Sequence, residues 1–341
     1  MEIGLKLPHI GDNASPQYVR EFAQAAEENG FDSVWVADHV AVPHRSASVY
    51  SLSDPPATPP DGALSAVLGP NFESLTTLAF AAGITRRIRL GTSVAVLPLR
   101  HPLLNAKMLA TIDCYSGGRL LYGAGAGWLR EEAEAIGMPW DHRGARMEEH
   151  IAILRALWTA PGPYVDFSGT YYSFHGIDSS PRPAQPQGPP ILIGGHSDVA
   201  LARAGRIGDG WIASRLNPDR LARMFDRVIV AAIRADRDPA VLRLHANVDF
   251  SPNAQLRGYA VVSKAVAART TTASGSAPQE DPETIADQLA AYARAGVHHV
   301  RLSARMASPA AELAWVQQLG AHVVPRVHAM PEKENATSLQ R

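Results

Sequence analysis

Short β-branched runs alternate with longer segments of helical spacing along most of the chain. Glu2–Leu7 alternates as a strand does. Ser15 then supplies a helix cap with Pro16 at the first helical position, and Asn29-Gly30 ends that helix. Ser33–Ala37 forms the second strand. Leu90–Leu97 is β-branched and almost free of charge, as a strand covered on both faces should be, and Pro98 closes it. Arg119–Tyr122, Pro190–Ile193, Gly210–Ala213, Leu242–Phe250 and Val297–Leu302 complete a set of eight predicted strands. Helical spacing covers Phe72–Ala82, Leu103–Tyr115, Trp128–Ile136, Arg143–Thr159, Ser197–Ala204, Asp219–Ala235, Asp281–Ala295 and Pro309–Leu319.

Eight strand–helix alternations with no break in composition predict one (β/α)8 TIM barrel. A doubly wound open sheet is the competing architecture; the count of eight and the missing linker favour the closed form. Three irregular stretches fall after strands 2, 4 and 7: Val42–Pro70, Tyr164–Pro190 and Ser251–Asp281. The second reads as a hairpin around Tyr171–Phe174. The first is long for an α/β connection and is expected to act as a lid. Residues 1–329 form the predicted domain, and polar residues 330–341 a flexible tail.

The 341 residues are 46% hydrophobic, enough for a large core, and carry a formal net charge of −1. That balance gives no reason to expect nucleic acid or a membrane surface as partner. One cysteine, Cys114, excludes an internal disulfide framework. No apolar run approaches the roughly 20 residues of a membrane span, and the N-terminus lacks a signal-peptide layout, so a cytoplasmic protein is expected.

In a barrel of this kind chemistry gathers at the C-terminal strand ends. Those ends carry Pro8, His9, Asp38, His39, Thr92, Ser93, Val94, Gly125, Gly127, Trp128, Gly194, Gly195, His196, Asp209, His245, Asn247, Ser303 and Arg305. An Asp beside a His can orient an imidazole that moves a proton near neutral pH. The alternative is a turn-capping Asp38 next to a packed His39. Gly194-Gly195-His196-Ser197 before a helix is a candidate anion site, or simply a turn that needs glycine. The run Gly123, Gly125, Gly127 either lets a ligand approach the backbone or turns a corner. No His-x-His or His-Glu-x-x-His occurs, and acidic residues are sparse at the strand ends, so no metal is expected.

The chain resembles the bacterial luciferase-like family of flavin and deazaflavin oxidoreductases. The matching segments are Phe31–His39, Arg89–Thr92, Arg100-His101-Pro102, Ser116–Leu120, Gly123–Glu132, Arg143–Arg146, Pro190–Gly195 and Gly208–Trp211. Gly127-Trp128-Leu129-Arg130-Glu131-Glu132 looks closer to the actinobacterial branch that uses coenzyme F-420, an 8-hydroxy-5-deazaflavin, than to luciferase proper. The resemblance implies a barrel mouth that holds the redox ring, with a non-proline cis peptide near Ser93-Val94 pressed against it. It implies Asp38 and His39 near the reactive ring edge, with His39 oriented by Asp38 and handling the proton. It implies Gly194 and Gly195 near the phosphate of the cofactor tail, and His196, Gly125 and Gly127 are expected among the cofactor-binding residues with Asp38, Ser93 and Val94. Members that oxidise glucose 6-phosphate carry a Glu where this chain has Trp128, so a sugar phosphate substrate is not expected.

The expectation is therefore hydride transfer between reduced F-420 and a small organic substrate. The alternatives are an FMN-dependent monooxygenase supplied by a separate flavin reductase, and a flavin-binding protein without catalysis; a flavin or deazaflavin reductase is the expected protein partner. A homodimer is the expected assembly within that family.

Overall fold

A computed structural model describes residues 1–50, 58, 61–249, 281–303, 306 and 308–330. Eight parallel strands close on themselves. In chain order they are β1 (Glu2–Lys6), β2 (Ser33–Val36), β3 (Arg89–Val96), β4 (Leu120–Gly125), β7 (Ile191–Gly194), β8 (Gly210–Ser214), β9 (Arg243–Asp249) and β10 (His299–Ser303). The ring closes through β1 against β10, with Ile3 opposite Val300 and Leu5 opposite Leu302. The closed eight-stranded parallel barrel is the architecture that the strand count implies.

The crossover helices begin where local chemistry says they should. Helix α1 (Pro16–Glu28) starts at Ser15, whose side chain accepts from the Tyr18 N–H. Helix α4 (Pro102–Ser116) ends at Gly117, which takes the left-handed conformation at φ 69°. Helix α7 (Asp198–Ile207) is capped by Ser197, and α8 (Pro218–Ile233) by Asn217. Helix α9 (Pro282–Arg294) is capped by Asp281. Helix α10 (Pro309–His322) is followed by the short α11 (Val324–His328), a turn the hydrophobic pattern does not foretell.

The excursion after β4 carries α5 (Arg130–Ala135), α6 (Arg143–Thr159) and an antiparallel pair, β5 (Tyr164–Ser168) with β6 (Ser173–Asp178). The pair turns at residues 169–172, so the expected hairpin is present. The excursion after β2 holds α2 (Ala63–Leu68), a helix the sequence pattern does not reveal, before α3 (Ser74–Ile84). The stretch 250–280, Arg305 and the tail from 331 lie outside the described residues, as do 51–57 of the expected lid. No helix among the described residues is long and apolar enough to cross a membrane.

One strand differs from its expected length. β4 runs on to Gly125, so Gly123 and Gly125 lie within the sheet. Its neighbour explains this. The β3–β4 register shifts between Thr92 and Ala95, and β3 crowds β4 there. A Cβ on Gly123 would stand 2.0 Å from the Thr92 carbonyl oxygen, and one on Gly125 would stand 2.7 Å from a Val94 methyl. Glycine is what lets these strands touch.

Candidate functional site

The C-terminal strand ends open into a cavity of about 1080 Å³. All nine residues singled out for catalysis or cofactor binding line it: Asp38, His39, Ser93, Val94, Gly125, Gly127, Gly194, Gly195 and His196. Pro8, Trp128, Asn247 and Ser303 join them. Other strand-end candidates do other work. His9 is fully buried, with Nδ1 3.0 Å from the Leu7 carbonyl and Nε2 3.0 Å from that of Ala37. Thr92 donates to the Gly123 carbonyl across the strand pair. Asp209 lies just before β8, where it accepts from the Ile191 N–H at the start of β7 and from Arg155. His245 stacks on His299 inside the barrel, ring centroids 4.9 Å apart.

The expected Asp38–His39 couple is replaced by two separate couples. Asp38 is spent on Arg100: Nη1 donates to Oδ2 at 2.7 Å and Nη2 to Oδ1 at 2.8 Å. The Ser74 hydroxyl and the Val96 N–H complete its shell at 2.7 and 2.8 Å. Burial alone would raise the Asp38 pKa, but Arg100 and the other donors outweigh it and hold the carboxyl below its ordinary value. Four donors on a side chain with no exposure leave it nothing to offer His39. Asp38 fixes where β2, β3 and α3 meet.

His39 instead bonds Glu132. Its Nδ1 lies 2.9 Å from Oε2, while Oε1 accepts from the Val40 and Ala41 N–H groups at 2.5 and 3.1 Å. The carboxylate thus holds both the imidazole and the backbone behind it, leaving Nε2 as the ring nitrogen for the cavity. Glu132 belongs to α5, whose preceding residue Glu131 accepts from the Ala47 N–H and from the Ser46 and Ser48 hydroxyls. Glu131 therefore pins the first part of the 42–70 excursion, and Glu132 the residues just before it. Tyr50 is then buried edge-on against Trp128 at 5.0 Å, and Trp128 stands edge-on to His39 at 6.4 Å.

The Ser93–Val94 peptide bond is cis, at the position the family resemblance gives. Ser93 accepts from Asn247 Nδ2 at 2.9 Å, tying β3 to β9 across the barrel mouth. Val94 sits between two of the predicted glycines: a Cβ on Gly194 would come within 3.0 Å of its Cγ1, as one on Gly125 would of Cγ2. These glycines make room first for Val94, which in turn forms part of the cavity wall. Two residues past Gly194, at the end of β7, His196 takes the Ser214 N–H on Nε2 at 3.2 Å. Burial, aided by nearby Arg220, brings the His196 pKa down to about 4, so the ring is neutral and suited to accept that bond.

Sequence reasoning missed Glu132, Arg215 and Arg301. Glu132 lies 93 residues from its partner, in a short helix whose charge looks like an ordinary solvated face. Arg215 follows β8 in the left-handed region at φ 57°, and Arg301 lies inside a strand rather than past its end.

Comparison with known proteins places this site in a family. A 35% identical F-420-dependent glucose-6-phosphate dehydrogenase of Beutenbergia cavernae matches over 59% of this chain and 53% of its own. A 32% identical phthiodiolone/phenolphthiodiolone dimycocerosates ketoreductase of Mycobacterium tuberculosis matches over 64% of this chain and 57% of its own. The chain thus spans little more than half of either enzyme's length. Among solved structures, an F-420-dependent secondary alcohol dehydrogenase bound to an F-420–acetone adduct superposes with a TM-score of 0.73 at 20% identity, covering 96% of this chain and 98% of that one. The FMN-bound oxygenating constituent of 3,6-diketocamphane monooxygenase from Pseudomonas putida gives 0.70 at 18% identity, covering 97% and 99%. At such identities these two establish a shared fold alone. The model of the luciferase-like monooxygenase family matches residues 2–256, and the chain belongs to that family.

Proposed function

We propose that this oxidoreductase uses coenzyme F-420 to exchange a hydride with a small carbonyl or alcohol substrate, with His39 as the proton carrier. The observation that carries this reading is the His39–Glu132 couple on the wall of a cavity floored by Val94. The residues present fit a tricyclic ring. The volume of about 1080 Å³ exceeds the roughly 300–1,000 Å³ of ordinary ligand pockets, leaving space for ring and substrate together. Asn247 Oδ1, next to the floor, is buried with no hydrogen-bond partner and would accept a ring N–H.

When bound, the reduced deazaflavin supplies a hydride from a ring carbon, and FMN would offer oxygen chemistry instead. Val94, Gly125 and Gly194 give the ring a close-packed floor. Glu132 holds Nδ1 of His39, so Nε2 can give a proton to a carbonyl oxygen as the carbon takes the hydride. In the reverse direction Nε2 takes the proton of an alcohol. Trp128 and Tyr50 close the side of the cavity next to His39 and keep water from it. F-420 is preferred to FMN because both the sequence run 127–132 and the 35% identical dehydrogenase point to the deazaflavin branch.

Titrating the purified protein with F-420 and with FMN, followed by absorbance and fluorescence, tests the reading. Saturable binding of F-420, tighter than that of FMN, is expected. Preference for FMN would make the protein a monooxygenase of this family, and binding of neither would end the proposal.

A further inference from the structure

The mouth ends of β8 and β10 hold two arginines that the proton relay does not use. Arg301 on β10 stands in register with Asn247 on β9, and Asn247 with Ser214 on β8. The next residue, Arg215, donates its N–H to the Asn247 carbonyl at 3.1 Å. The arginines therefore flank the residue that is tied to Ser93 of the cis peptide, and both line the cavity. Two nitrogens of Arg301, Nε and Nη1, are closed to solvent and have no hydrogen-bond partner. Burial and the like charge of Arg215 bring its pKa down to about 10, so it remains a cation at neutral pH. Asp249 attracts it and Tyr50 hydrogen-bonds Arg215. On this half-buried side chain, donors closed to solvent and left over are costly unless something supplies acceptors.

We infer that Arg301 and Arg215 form a subsite for a carboxylate on the substrate, so that the substrate is an anionic carbonyl or hydroxy compound. This deepens the function proposed above and rests on it. The charge balance selects a monoanion: two guanidinium groups less the Asp249 carboxylate leave one positive charge, which a carboxylate cancels and a phosphate dianion would overshoot. Placement beside Asn247 puts the anchored end next to the ring floor, with the reacting carbon between the arginines and His39.

Benzoate, with benzamide as its uncharged match and inorganic phosphate as the dianion, can be titrated calorimetrically into the F-420-loaded and cofactor-free protein. Saturable benzoate binding is expected in wild type. It should weaken about 10-fold or more in Arg301→Gln and in Arg215→Asn, the latter chosen because Asn tolerates a positive φ. Benzamide and phosphate should bind no better than the variants bind benzoate. F-420 affinity should stay within about 2-fold of wild type in both variants. Unchanged benzoate binding in Arg301→Gln overturns the inference, as does tighter binding of phosphate. Loss of F-420 affinity with benzoate binding intact overturns it too, because it assigns the arginines to an electron-rich ring edge. Failure of wild type to bind F-420 overturns the function proposed above, while benzoate binding to the cofactor-free protein judges the subsite separately.

Discussion

Asp38→Ala separates the two carboxylates most sharply. The native side chain has no exposure and accepts four hydrogen bonds, two from Arg100, which is itself only 8% exposed. Truncation leaves that guanidinium with Glu73, which Nη2 already meets at 2.5 Å, and strands Ser74 Oγ and the Val96 N–H. Removing one partner of a buried ion pair costs about 3–5 kcal/mol, here from the loss of two of the guanidinium's hydrogen bonds and the two stranded donors, with Glu73 left as its one carboxylate. At about 2 °C per kcal/mol, Tm should fall by about 6–10 °C. Differential scanning calorimetry beside His39→Ala provides the contrast. His39→Ala leaves the buried Glu132 with the Val40 and Ala41 N–H groups as donors, so it should lower Tm by less than Asp38→Ala does while abolishing most turnover. The reasoning fails if Asp38→Ala melts with wild type, or if the two variants lose the same stability.

Glu132→Gln keeps a hydrogen-bonding group against His39 Nδ1 but removes the charge that steadies a protonated ring, so turnover should fall on the order of 10²–10⁴-fold with F-420 affinity unchanged; equal turnover would show the couple to be idle. His9 is buried and held at about pKa 4, chiefly by burial and then by Lys6, so it stays neutral in the folded state. Between pH 6.5 and 4 the unfolded chain binds a proton that the folded chain refuses, so this contribution is full above pH 6.5 and is lost as pH falls toward 4. It amounts to about 3 kcal/mol, and denaturation curves for wild type and His9→Gln across that window should differ in slope. Gly83→Ala fills open space in α3 and should raise stability by about 0.5–1 kcal/mol, whereas Gly123→Ala drives a Cβ into the Thr92 carbonyl and should prevent normal folding. Expression level and Tm read both, and a harmless Gly123→Ala would show that the strands can part.

The barrel was legible because strands covered on both faces must be apolar: Leu90, Val34 and Ile191 are all fully buried. Helix caps were legible for an equally local reason, since Ser15, Ser197 and Asp281 bond N–H groups two or three residues ahead. What escaped depends on distant neighbours. That Gly123 and Gly125 lie within a strand is dictated by Thr92 and Val94 on the adjoining one. The nine chosen site residues share a cavity because strand ends converge in any such barrel, yet their pairing could not be read. Asp38 and His39 are adjacent in sequence and turn to different partners, Arg100 and Glu132, which only the closed fold brings near. Arg301 was hidden by the same logic, because a cation inside a strand has no local mark of what it faces.

The central claim is that the floor at Val94 and the His39–Glu132 couple lie on two sides of one redox ring. A crystal structure of the protein with F-420 tests it directly. Density for the ring in contact with Val94, its reactive edge turned to His39 Nε2, is expected. Density for the ring elsewhere, or a His39 swung away to another partner, would contradict it.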